Sequence, residues 1–286
     1  MIPLRAVETE PSDGAAVRHA AYVQPLIEFS GVAKHFAVGG ALRPAVEGVE
    51  LAVRPAEIVT LVGPSGCGKS TLLNMAAGLF APTHGTVRYG GVVVSGLNHS
   101  VGYMTQQDHL LPWRTTLDNV ALPLELRGEA RDRRVARAQE LIALVGLQGF
   151  ERHFPSQLSG GMKKRCALAR LLAYDPETLL LDEPFGALDA QLRLGLQAEV
   201  LRLVRSLRKT ALFVTHDLDE AIAMADRCVV FQGRPGRIAE VIEIDLPSDR
   251  DLLTLRFDSR YVELTQRLWT RMAPDLSIAA GLRRPR

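Results

Sequence analysis

Two stretches, far apart in the chain, carry chemistry that belongs together. Gly63, Pro64, Ser65, Gly66, Cys67, Gly68, Lys69, Ser70 and Thr71 follow the spacing G-x-x-x-x-G-K-[ST], between an apolar run (EIVTLV) and a helix-forming one (STLLNMAAGLF). Glycines let backbone N–H groups close around phosphate oxygens, and the following helix adds the positive end of its dipole. Lys69 can then reach the outer phosphates of a nucleotide, and Ser70 can hold Mg²⁺. The second stretch is Leu179-Leu180-Leu181-Asp182-Glu183-Pro184. An apolar strand ending in an acid sets Asp182 beside the phosphate loop as a metal holder, and Glu183 can orient or deprotonate a water.

A third motif narrows the family. Leu158-Ser159-Gly160-Gly161-Met162 resembles the signature motif of ABC ATPases. The resemblance implies an α/β fold: a P-loop (RecA-like) ABC ATPase core with an antiparallel β portion and an inserted helical subdomain. It implies ATP and Mg²⁺ as cofactors, and a head-to-tail pair of subunits. Ser159, Gly160 and Gly161 of one copy would then meet the γ-phosphate held by the other. Gln106, in GYMTQQD, matches the Q-loop glutamine, with Thr105 in place of the usual aromatic. Gly186 to Asp189 matches the D-loop, His216 in FVTHD the switch histidine, and Phe36 the aromatic that stacks on adenine. Lys164 stands where the family often has Gln.

The strings LPWRTT, DEPFGALDAQLR and VTHDLDEAIAMADRCVVFQGRPGRI resemble the nitrate/sulfonate/taurine importer subfamily. That likeness implies a bacterial importer: two copies of this chain, transmembrane permease subunits and an outside solute-binding protein, periplasmic or lipid-anchored. The chain would then work at the cytoplasmic face of the inner membrane. Two readings of Trp113 stay open, a hot spot at the permease or packing within its own subdomain.

The elements that must position these residues alternate strand, loop and helix, as in an α/β sheet domain. LIEFSGVAKHF, VEGVELAV, GTVRYGGVVV and VGYMT pattern as strands, and residues 108–154 turn helical. Thr178–Asp182, ALFVTHD and RCVVFQG are further strands, with DAQLRLGLQAEVLRLVRSLRK a long amphipathic helix between the first two. The expected organisation is a loose leader over 1–24, an ATPase domain over 26–240 with a helical subdomain at about 107–157, and a C-terminal helical tail over 241–286. No internal repeat is evident, so one nucleotide site per chain is expected. In the tail, Tyr261, Leu264, Leu268 and Trp269 read as core packing or self-association.

Composition excludes several alternatives. With 34 basic and 32 acidic residues among 286, the chain has no basic footprint for nucleic acid. The basic stretch RGEARDRRVAR is broken by acids and reads as a solvated helix face. Cys67, Cys166 and Cys228 are few and scattered, which fits free thiols in a reducing compartment. No apolar run is long enough to span a bilayer, and the start lacks the apolar stretch of a secretory signal.

Overall fold

A computed structural model describes residues 24–279 except Ala187, with side chains as far as Ala273. Nearly all of the expected leader and the basic LRRPR end lie outside the described residues. The chain opens with β1 (Ile27–Val38), β2 (Ala41–Val53), β3 (Ile58–Val62), α1 (Lys69–Ala76), β4 (His84–Tyr89), β5 (Val92–Val93) and β6 (Val101–Met104). Helices α2 (Thr116–Leu126), α3 (Arg131–Leu144) and α4 (Gly160–Tyr174) follow, then β7 (Thr178–Asp182) and α5 (Ala190–Ser206). The chain continues through β8 (Thr210–Val214), α6 (Leu218–Met224), β9 (Arg227–Gln232), β10 (Arg237–Glu243) and α7 (Ser259–Ala279).

The strands form two sheets. One has the order β2-β1-β4-β5 and is antiparallel, with its longest pairing between β1 and β2. The other has the order β10-β9-β3-β8-β7-β6 and is parallel except at β10. Its central strands β3, β7 and β8 are buried at every residue, as expected for unbroken apolar runs covered on both faces. Side chains alternate between the two faces. Ile58, Val62, Leu179, Leu181 and Phe213 enter a core shared with the helices α2 to α7. Val59, Leu61, Leu180, Leu212 and Val214 enter a second core, roofed by α1 and the antiparallel sheet.

Short polar side chains start the helices where site motifs end. Thr115, Ser159, Asp189 and Asp217 each accept a backbone N–H from the first turn of α2, α4, α5 and α6 respectively, satisfying groups that would otherwise lack a partner. The tail departs from expectation at its start. Strand β10 runs on through Val241 to Glu243, pairing antiparallel with β9. In α7, Tyr261, Leu264, Leu268 and Met272 are buried, but Trp269 is half exposed, because it falls on the flank of that stripe. No described helix is long and apolar enough to cross a membrane.

Candidate functional site

Strand register alone brings four motifs to one edge. In the parallel sheet Leu61 pairs with Val214, Val214 with Asp182, and Leu181 with Met104. The loops that leave these strands therefore begin side by side: Gly63 after β3, Glu183 after β7, Thr215 and His216 after β8, and Thr105 and Gln106 after β6. Ligands of open parallel sheets bind at this carboxyl edge.

The phosphate loop is crowded from outside, and that crowding explains its glycines. Gly68 has φ +93°, and a Cβ there would lie 2.2 Å from Val46 Cγ1 and 2.9 Å from the Ala45 carbonyl oxygen. A Cβ on Gly63 would lie 2.6 Å from the Phe231 carbonyl oxygen. Cys67 is fully buried beneath the loop, and burial raises its thiol pKa, which fits a space-filler. Lys69 opens α1, with its ammonium donating to the carbonyls of Gly63 at 2.8 Å and Pro64 at 2.9 Å. Pro64, Ser65, Gly66, Ser70 and Thr71 complete the rim, with Ser65, Gly66 and Ser70 exposed.

Asp182 ends β7 buried, on the side of the strand that faces Ser70. Desolvation raises its pKa, while the Ser70 hydroxyl, Lys69 and Lys164 oppose the rise. Glu183 follows at φ +49°, with its N–H donating to the Val214 carbonyl at 2.9 Å. A positive φ on a non-glycine residue costs energy and is held only where the surroundings enforce it. Here it turns the carboxylate out of the strand. Gln106 Nε2 donates to Glu183 Oε2 at 3.3 Å, and His216 Nδ1 lies 3.4 Å from Glu183 Oε1. Glutamine, glutamate and histidine, read from three separate segments, thus meet at one carboxylate. Such a group can accept a proton from a water held over the phosphate loop.

Other expected residues lie apart from this centre or at its margin. Ser159 and Gly160 are exposed and Gly161 is half-buried. The Ser159 hydroxyl accepts from Met162 N at 3.3 Å, so within this chain it caps α4. Asp189 caps α5, accepting from Leu192 N at 3.0 Å. Phe36 lies near the end of β1 opposite Arg43, meeting Phe80 edge to face at 5.5 Å. Two residues before it, Lys34 pairs with Val46, the side chain that crowds Gly68, so the hairpin holds Phe36 near the phosphate loop.

Three contacts were not legible from motif spacing. Lys164, on α4, donates to the Gln106 backbone carbonyl, and burial lowers its pKa. Arg234 donates to the Ser65 carbonyl, bracing the phosphate loop from the β9–β10 turn. Phe80 supports Phe36. Motifs record order along the chain, whereas these contacts join segments 44 to 169 residues apart. Beside the Q-loop, a groove of about 260 Å³ is lined by Tyr103, Met104, Asp108, His109, Pro123 and Arg170. Trp113, on the loop beyond it, is 71% exposed, which removes the packing interpretation of that side chain.

The comparisons agree with this geometry. A family model described as ABC transporter matches residues 46–186. An uncharacterized ABC transporter ATP-binding protein of Methanocaldococcus jannaschii is 47% identical over 81% of this chain and 86% of its own length. The taurine import ATP-binding protein TauB of Pseudomonas fluorescens is 40% identical over 86% of this chain and 95% of its own length. Among solved structures, the dimeric MJ0796, a bacterial ABC transporter cassette, superposes with a TM-score of 0.72 at 32% identity, covering 77% of this chain and all of that one. A post-hydrolysis dimer of the same cassette bound to ADP and Pi gives 0.71 at 31% identity, with the same coverage. At these identities over most of its length, the chain belongs to the ABC transporter ATP-binding family and is an ATPase.

Proposed function

We propose that this chain is the ATP-hydrolysing subunit of a bacterial importer for a small anionic solute of the nitrate, sulfonate or taurine type. The meeting of Gln106 and His216 on Glu183, beside the phosphate loop, carries the hydrolytic part. The phosphate-loop N–H groups and Lys69 bind the phosphates. Ser70 and Asp182 are hard oxygen donors close enough for Ser70 to influence the Asp182 carboxyl, which suits Mg²⁺, and the Gln106 amide oxygen adds a third. When bound, Mg²⁺ neutralises charge on the β- and γ-phosphates. Glu183 accepts a proton from the attacking water. As the new bond to the γ-phosphorus forms, the bond to the β–γ bridging oxygen breaks, and ADP leaves with that electron pair. His216 holds the Glu183 carboxylate and faces the γ-phosphate.

The Ser159–Gly161 turn, exposed at Ser159 and Gly160, supports a second copy supplying these residues to the phosphate across the seam, as in an ATP-sandwich homodimer. The dimeric structures of MJ0796 point the same way. Coupling to permease subunits is supported by the groove beside Gln106 and the exposed Trp113. The solute class rests on the taurine import relatives. The test is expression with the permease and binding-protein genes neighbouring its own, in a host that cannot take up taurine. Uptake of labelled taurine that Glu183→Gln abolishes supports the proposal. Trp113→Ala should keep ATP binding and the melting temperature but lose permease co-purification and uptake. ATPase activity with neither permease association nor uptake would instead favour an ABC ATPase not coupled to a permease.

A further inference from the structure

His216 sits in a turn closed from behind. The flanking residues bond across it, with Asp217 N donating to Thr215 Oγ1 at 3.0 Å. Asp217 is also the cap of α6, its Oδ1 accepting from Glu220 N at 3.1 Å. The other carboxylate oxygen, Oδ2, faces Arg193, whose Nη1 lies 3.3 Å away. Arg193 stands on the first turn of α5, directly after the D-loop segment, and its Nη2 donates to the Leu188 carbonyl at 2.8 Å. One guanidinium thus ties the D-loop backbone to the residue beside the switch histidine. At its other end, the D-loop passes over the same centre. A Cβ on Gly186 would lie 3.9 Å from both His216 Cε1 and Glu183 Oε2.

From this we infer that Arg193 is a positioning residue that couples the D-loop to His216, so that displacement of the one moves the other. A guanidinium suits the task because its planar fork fixes the angle between two partners, which the single ammonium of lysine cannot do. The Arg193–Asp217 pair is about one-third exposed, so its Coulombic contribution to stability is small. Its consequence is geometric. In the proposed homodimer the D-loop lies at the seam, and Arg193 carries the arrival of the second subunit to the histidine that holds Glu183. Each half-site then fires in response to the other.

The inference rests on the proposed site, so the experiment separates the two. ATP hydrolysis by the full chain is measured against ATP concentration for wild type, His216→Ala, Arg193→Lys, Arg193→Met, Asp217→Asn and the Arg193→Met/Asp217→Asn double variant, with melting curves for each. The expected result is a fall in kcat of about 10-fold in both Arg193 variants and in Asp217→Asn, with KM changed less than about 2-fold. The Hill coefficient should move toward 1, and the double variant should be no worse than either single one. If Arg193→Met melts early, Arg193→Lys and Asp217→Asn decide. Unchanged kcat and Hill coefficient in those two, with His216→Ala inactive, overturns this inference alone, as does a double variant whose losses multiply. Full turnover in His216→Ala overturns the underlying site as well.

Discussion

The glycine loop before α1 and the Leu158–Gly161 turn before α4 both deliver the chain into a helix, yet one is enclosed and the other stands open. Around Gly68 the backbone is pressed against Val46 and Ala45, and Lys69 is buried with its ammonium satisfied by the loop's own carbonyls. Around Gly160 a Cβ would meet nothing within 4 Å, and Ser159 bonds only the first turn of its own helix. The same residue types therefore serve different needs. The first loop is shaped by its own chain and would supply the phosphate cradle of the proposed site. The second presents a capped helix start at the surface, where backbone N–H groups can meet an anion brought by another molecule.

The largest effect should come at the enclosed half. Glu183→Gln should lower phosphate release by at least about 100-fold while keeping ATP affinity, because it removes the proton acceptor and leaves the cradle intact. Phosphate release and nucleotide binding, measured side by side, check this. The same variant should accumulate an ATP-bound dimer, seen as a doubled mass in sizing. Turnover near wild type would take Glu183 out of its role.

The glycines give a sharper contrast. Gly68→Ala forces a side chain onto a left-handed backbone and into Val46, at a cost of about 1–3 kcal/mol. Gly160→Ala meets open space at an ordinary backbone angle, so its melting temperature should stay within about 1 °C of wild type. Differential scanning fluorimetry of the two variants decides. Equal melting temperatures would erase the distinction between the loops.

A smaller effect lies behind the switch histidine. Glu220 is buried, accepts from Gln197 at 2.7 Å and is bonded to Thr215, with Asp217 and Arg193 nearby. Burial is the main cause that pushes its pKa up to about 7. A raised carboxyl pKa stabilises the fold below the unfolded value near 4.5, and that stabilisation is lost as pH climbs through about 7. Glu220→Gln should therefore gain on wild type between pH 5 and pH 8, by on the order of 2 kcal/mol. Melting curves across that range check the sign. A gap that is constant with pH would show that Glu220 stays ionised throughout.

Much of this was legible in the sequence, for physical reasons. Thr178–Asp182 is an unbroken apolar run ending in an acid, and it forms β7 at those bounds. The phosphate loop announced itself through the fixed spacing of its glycines and Lys69 between a strand run and a helix run, although the neighbours that crowd Gly63 and Gly68 come from distant segments. Spacing finds an apolar stripe on α7 but not where its edge falls, so only the structure separates buried Tyr261, Leu264 and Leu268 from half-exposed Trp269. Arg193 and Arg234 were missed, and Lys164 was noticed only as a departure from the family's Gln, because arginines and lysines on helices and turns usually point to solvent. Only the assembled fold brings them to backbone carbonyls of distant loops. Trp113 needed the structure to separate two readings that its sequence context left equal.

The central claim is that the open turn completes the enclosed loop of a second copy, and mixing two disabled chains tests it most directly. Lys69→Ala removes the cradle and keeps the turn, whereas Ser159→Arg blocks the turn and keeps the cradle. Each alone should be inactive. Mixed in equal amounts, half of the pairs should be heterodimers with one intact composite site. That sets recovery of about a quarter of wild-type ATPase activity as the ceiling, reached if the two sites fire independently and lowered to the extent that each half-site depends on the other. Recovery that grows with total protein concentration is the expected result. No recovery at any ratio, or full activity of Ser159→Arg alone, would contradict a shared site.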